Sequence, residues 1–483
     1  MLKKIVSTVI LLFWFVMMGL LIERTYLRPS PVIALDVVTE EGVRPTDEWF
    51  GIYQQGKKIG FAHTRTVPEA GAYHLSEESE LDLLVLGSLQ RVKTAINSYA
   101  TKNFLLKYFD FTMQSDTTVM KIKGAVLGNK LVLDIDTGGR TRTETVPLAG
   151  PPYLSPGIKP AVLLGGLEPG KTYRFPVFNP ATMSTEEANI AVESRERIKV
   201  GSAEKTIYKL KESFQGMESI SWVTQDGETI REESPLGYVL LSESAAEAKK
   251  LDKGGPAVDI ITLTMIPSDP IKDSFQATYL RARLLGVSLQ GFQLDGDRQT
   301  LKGDVIEIAT EDIPASYLLP AGRKELNDYL RPTALIQSDD KKIINQAAKI
   351  LSGERNAREA AKKLNDWVYA SLAKKPVVSI PSAIEVLNQR EGDCNEHTTL
   401  YTALARAAGI PTRMAAGIVY MKNGFYYHAW PEVWLGRWVP ADPTFGQFPA
   451  DATHIRFVSG NLDRQAEIVR LVGKLNVKIL EYK

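Results

Sequence analysis

The chain holds a single cysteine, Cys394, in the stretch Glu391-Gly392-Asp393-Cys394-Asn395-Glu396-His397. Gly392 and Asp393 interrupt the preceding segment, and Asp393 is placed to cap the bare amides of a helix. That helix is expected through Thr398 to Ala408, with Leu400, Tyr401, Leu404 and Ala407 at helical spacing and Gly409 and Pro411 ending it. A thiol in a first helical turn feels the positive end of the helix dipole, which favours its thiolate. His428 follows 34 residues later in the aromatic, strand-like run Phe425-Tyr426-Tyr427-His428-Ala429-Trp430, and Asp442 follows 14 residues after that in Trp438-Val439-Pro440-Ala441-Asp442-Pro443-Thr444. Cysteine nucleophile, histidine base and carboxylate orienter form the logic of a thiol triad. The spacings suit one helix packed on adjacent antiparallel strands.

Each residue also has a plainer reading: a buried inert thiol, an imidazole satisfied among aromatics, a turn-forming aspartate before proline. A metal site drawing on Cys394, His397, His428 and Asp442 lacks a recognisable ligand spacing, so no metal and no cofactor is expected. His397, one turn beyond Cys394, reads as packing or support. Gln389, upstream, is weighed as a second oxyanion donor beside the Cys394 amide, with a plain loop role preferred.

The elements around these residues divide the chain. At 483 residues it exceeds one ordinary core, and 44% apolar and 24% charged residues are those of a folded protein. A net charge of +1 argues against a nucleic-acid partner. Residues 1–24 contain Lys3 and Lys4 followed by the charge-free run Ile5 to Ile22, expected to be an uncleaved single-pass anchor in the inner membrane, with the bulk of the chain on the periplasmic side. A polar stalk reaches about residue 44. Strand periodicity then dominates residues 45–250, with a possible division near 151–160 at the Pro-rich Pro151 to Gly157, and a break at Gly254-Gly255-Pro256. A further β-rich piece spans 257–330, with strands near Ile260 to Ile266, Ala277 to Leu284 and Val305 to Ile308. Helical spacing takes over after Asp339-Asp340, and strands return from Val419, so 335–460 reads as α+β, followed by a tail at 461–483. Gly165 to Thr172 matches the phosphate-loop pattern by letter, but the segment after it reads as a strand containing Pro176, so no nucleotide is expected.

Residues 335–460 resemble the transglutaminase-like superfamily, whose members share a papain-like core. The resemblance is carried by Gly392 to His397, Arg406-Ala407-Ala408-Gly409-Ile410-Pro411-Thr412-Arg413, His428-Ala429-Trp430-Pro431-Glu432-Val433 and Trp438 to Thr444, in that order. It implies Cys394 as nucleophile, His428 as base and Asp442 as its orienter, on helices packed against an antiparallel sheet. Asp393 and Asn395 stand where animal transglutaminases have glutamine and tryptophan, and acidic calcium loops are not evident. Hydrolysis of protein or peptide amides is therefore expected ahead of cross-linking. The alternative is a membrane-anchored, non-catalytic binding or assembly module that works through its β-rich region.

Overall fold

The computed structural model describes residues 42–200, 203–214, 216–234, 236–251, 258–313, 317–460, 464–465 and 467–483. The expected anchor at 1–24, most of the stalk and the break at Gly254 to Pro256 lie outside the described residues. Among the described residues, no helix is long and apolar enough to cross a membrane.

Alternating patterns build one large antiparallel sheet. In Lys130–Thr137, for example, Leu131, Leu133 and Ile135 are fully buried while Lys130 and Asp134 face out, the period of two that a strand requires. Numbered along the chain, strands β1 (Thr46–Gln54) to β8 (Arg140–Pro147) follow one another across the sheet, and β9 (Thr172–Asn179) to β14 (Tyr238–Glu243) do the same. The halves join where β1 pairs with β14, giving fourteen strands among the described residues. The Pro-rich stretch near 151–160 leads into a helix, α1 (Ser155–Gly165), which stands in the chain between the two halves of the sheet. The sheet closes over α1: Tyr73 and Leu75 from one half share a core with Val192, Tyr208 and Leu210 from the other, with Ile158, Ala161 and Val162 of α1 among them. The loop that resembles a phosphate site ends α1, and β9 follows it directly. Lys171 Nζ bonds Glu168 at 2.7 Å.

After β14 come two short helices, α2 (Ala245–Ala248) and α3 (Ile260–Thr264). The latter corrects the strand expected near Ile260 to Ile266. Asp259 caps it by accepting the Ile261 N–H at 2.9 Å, and a five-residue apolar run does not distinguish strand from helix by period alone. Only Ile266 pairs as a strand would, with Phe425. The other two expectations correspond to β15 (Tyr279–Leu285) and β17 (Val305–Ala309), with β16 (Gln299–Lys302) beside β17.

The last part consists of helices α4 (Lys341–Leu351), α5 (Ala357–Ser371), α6 (Ala383–Gln389) and α7 (Cys394–Ala407), the short parallel pair β18 (Ala373–Lys374) and β19 (Glu391–Gly392), and the sheet strands β20 (Thr412–Met421), β21 (Gly424–Trp434), β22 (Trp438–Pro440) and β23 (Ile455–Ser459) in the order β22-β21-β20-β23. Residues 461–483, expected as a tail, end in β24 (Asn476–Tyr482), which pairs with β15. Alternation at Val477 and Ile479 lets this segment complete the small sheet. Its Val477 joins Leu280, Ile306, Ile418 and Phe457 in one core, so the small sheet and the β20–β23 sheet pack together. The helices share a second core with Val433, Leu435 and Val439.

The edge of the large sheet docks on this part. The Thr137 hydroxyl donates to Glu385 Oε2 at 2.6 Å, the same oxygen that the α6-capping Ser382 hydroxyl reaches at 2.7 Å. Glu144 Oε1 accepts the Ala334 N–H at 2.7 Å, and Gln389 Nε2 donates to the Thr117 carbonyl at 2.6 Å. A large-sheet edge is thus fastened to the helix that leads into Cys394.

Candidate active site

The turn before Cys394 is tightly specified. Asp393 is the N-cap of α7: its Oδ1 accepts the Asn395 N–H at 2.9 Å, while Glu396 Oε2 accepts the Asp393 N–H at 2.8 Å, a reciprocal capping box. Gly392 sits at φ +152°, and a Cβ there would stand 2.3 Å from Glu396 Cβ, so only glycine lets the strand approach the helix this closely. Gly409, at φ +81°, follows the far end of the helix as expected. Helix α7 packs on β21, where the Thr398 hydroxyl donates to the Ala429 carbonyl at 3.0 Å. The backbone amide of Ala429, adjoining His428 in the chain, acts on Cys394 in favour of its thiolate.

The structure brings His428 and Asp442 together: Nε2 lies 2.8 Å from Asp442 Oδ2, and both residues are buried. Asp442 Oδ1 accepts the N–H groups of Thr444 at 2.8 Å and Phe445 at 3.0 Å. Burial opposes the Asp442 charge, but His428, His454 and their hydrogen bonds outweigh it and hold the carboxyl well below the usual carboxylate range. An ionised Asp442 can only accept, so Nε2 of His428 carries a hydrogen and Nδ1 is left free to serve as base. The Phe445 ring stacks on the imidazole with centroids 4.9 Å apart and fixes its plane.

Sequence reasoning missed His454 and Asp451. His454 Nε2 lies 2.9 Å from the same Asp442 oxygen, and its Nδ1 lies 3.3 Å from Asp451 Oδ1. Asp451 is held in turn by the Thr453 amide and hydroxyl, at 2.7 and 2.6 Å, and by Gln447 Nε2 at 2.9 Å. With a carboxylate at each nitrogen, His454 is an imidazolium: burial works against the charge, but Asp451 and Asp442 together raise it to about 9. The signal was present, because the chain has only five histidines and Asp451 precedes His454 by three residues.

The nucleophile end departs from expectation. Burial, then the charge of Asp393, push the Cys394 thiol well up, with smaller contributions from Glu396 and Asp442, and the Ala429 N–H opposes them only in part. The amides of the first turn favour the thiolate, but the acids that cap them work against it. Burial and Asp393 also push Glu396 well up, towards its neutral form, although the Ser379 hydroxyl at 2.6 Å supports its charge. His397 Nδ1 meets the Asp393 carbonyl at 2.7 Å and burial lowers its basicity, so it braces the turn as a neutral ring. The Tyr427 hydroxyl donates to Asn395 Oδ1 at 3.2 Å. Its acidity is suppressed first by burial and next by Cys394, which places a protonated phenol beside the sulfur. Gln389 is committed to Thr117 and does not serve the site.

Among the described residues, the metal-ligating atoms that gather are those of His428, Asp442 and His454, all within 4.8 Å of one another, and not the set with Cys394 and His397. Each imidazole N–H of this group points at a carboxylate oxygen, so the arrangement is satisfied as a hydrogen-bond chain running His428, Asp442, His454, Asp451.

No curated protein matches the chain in sequence. Among solved structures, a candidate cysteine protease from Cytophaga hutchinsonii aligns at 16% identity over 43% of this chain and 86% of its own, with a TM-score of 0.29. A β-barrel-like protein of a domain of unknown function from Brucella abortus aligns at 8% identity over 42% of this chain and 96% of its own, TM-score 0.32. A candidate protease from Parabacteroides distasonis aligns at 12% identity over 75% of this chain and 65% of its own, TM-score 0.20. The family model of the transglutaminase-like superfamily matches residues 344–443, the stretch from α4 to just beyond Asp442, and the chain carries a transglutaminase-like domain there.

Proposed function

We propose that the domain is a thiol amidase or peptidase acting on protein or peptide amides, with Cys394 as nucleophile, His428 as base and Asp442 as orienter. The observation that supports this most is the buried His428–Asp442 pair at 2.8 Å, with His428 on the strand against which the Cys394 helix packs through Thr398 and Ala429. Because burial and Asp393 push the thiol up, the reaction starts from the thiol. As Sγ attacks the amide carbon, His428 Nδ1 takes the thiol proton and then passes it to the departing amine, leaving a thioester. Water then adds to the thioester carbon and gives its proton to Nδ1, and the carboxylic acid departs as the thiol is restored. Asp442, ionised throughout, keeps Nε2–H aligned and supports the imidazolium that forms.

A thiol-reactive amide mimic should label Cys394 in native protein and not in the denatured chain. His428→Ala should slow labelling by about a hundredfold or more. One observation favours the second reading, a non-catalytic binding module working through the β-rich region: the acids around Cys394 suit an inert thiol. Equal labelling rates in wild type and His428→Ala would establish that reading instead.

We also propose that the body lies outside the inner membrane, tethered by the charge-free run Ile5 to Ile22 behind Lys3 and Lys4. Protease added to cells with permeabilised outer layers should digest it. Digestion only after lysis would reverse the topology.

A further inference from the structure

A cavity of about 210 Å³ lies against the chain neighbours of Cys394 and His428. Asn395, next to Cys394, lines it, and so does Ala429, next to His428. Its far wall does not belong to the transglutaminase-like domain. Glu144 of β8 and Thr182 and Met183, in the turn between β9 and the next strand of the large sheet, close it from that side. Leu335, Ile336, Pro381 and Met414 supply apolar surface. The one charged group on the wall, Glu144, is engaged: its Oε1 accepts the Ala334 N–H at 2.7 Å and lies 4.0 Å from Arg142 Nε. Thr333, Thr398, Thr399 and Gln465 add uncharged polar groups, so the walls are mixed; such a cavity penalises a charged side chain through desolvation, and its apolar part accepts an aliphatic one.

We propose that this cavity is the side-chain pocket of the substrate, that it takes an uncharged aliphatic residue of medium size beside the scissile amide, and that the large sheet sets this specificity through Thr182 and Met183. The proposal rests on the thiol-enzyme reading above. It also gives the sheet a task in the chemistry: the docking bonds at Glu385, Ala334 and Gln389 hold the pocket wall in register with α7.

The test uses the full chain and acetylated dipeptide chloromethyl ketones that carry Gly, Leu or Lys at either of the two residues next to the reactive carbon. At one of these positions the Leu probe should alkylate Cys394 about tenfold or more faster than the Gly or Lys probe. Met183→Trp and Thr182→Trp each fill the cavity from the sheet side, and in each the Leu-to-Gly rate ratio should fall towards one. A ratio within one protein is insensitive to its folded fraction, and the two variants stand in for each other if thermal melts show that one fails to fold. His428-dependent alkylation with no side-chain preference, or a Leu preference that survives both fillings, would overturn the pocket and leave the thiol reading intact. Alkylation that ignores His428 as well as the side chain would overturn both.

Discussion

Two groups of acids in this molecule, one half-buried around a cavity and one buried, have opposite fates. Inside the large sheet, Glu77, Glu212 and Glu232 line a cavity together with Arg65 and with Lys159, which acts on all three and whose Nζ already lies 3.7 Å from Glu48. Burial raises all three acids. For Glu212, burial together with the neighbouring charge of Glu232 brings it up to about 7. Beside His428, Asp442 and Asp451 are more fully buried, yet both are held below the usual range, because two imidazoles, backbone amides and a hydroxyl meet them. Burial by itself therefore does not decide whether a carboxylate is charged. The number and kind of donors aimed at it do.

The largest break in that contrast is Asp442→Ala. It leaves the His454 imidazolium with a single partner and His428 unheld, so stability should fall by about 3–5 kcal/mol, read from urea unfolding, and turnover should be lost. A loss below about 1 kcal/mol would mean that the chain of charges is not coupled as its distances imply.

Next is pH. His454 is raised in the folded state, so the stability it supplies is complete below its unfolded value of about 6.5 and is lost as pH climbs through about 9, an effect on the order of 3 kcal/mol. The Asp442 contribution has the opposite sign and is lost only in acid. His454→Gln should flatten the alkaline limb of the stability profile, and an unchanged limb would place its origin elsewhere.

Glu212→Gln should change stability in the other direction. A raised acid costs the folded state increasing stability as pH rises from about 4.5 to 7, so at pH 8 the variant should be the more stable by about 1 kcal/mol, once water reaching the cavity is allowed for, with little difference at pH 5. Paired thermal melts at the two values decide it.

The smallest expected effect sharpens the comparison from outside. Arg142 and Asp339 meet at 3.2 Å across the docking edge but are exposed, so Asp339→Asn should cost less than about 0.5 kcal/mol. A larger loss would show that docking depends on surface charge more than on the buried Thr137–Glu385 bond.

What could be read directly from the chain was local. Asp393 before Cys394, Asp340 before α4, the alternation of Leu131, Leu133 and Ile135, and Gly409 behind α7 each act within a few residues, where capping, turn conformation and period are already determined. His428 and Asp442 were legible because both stand on recognisable strand and turn signals close to Cys394 in sequence. Where several local effects compete, the local pattern does not decide: the helix dipole at Cys394 is visible in the sequence, but burial and the acids Asp393 and Glu396 outweigh it.

The rest needed the fold. His454 reaches Asp442 because β23 lies beside β20, and β24 closes the small sheet from the far end of the chain. The wall that Met183 presents to the site comes from more than two hundred residues upstream of Cys394. Such partners carry no local signal, since hydrogen bonds and cavities form between whichever groups the packed sheets bring within reach, whatever their separation in sequence.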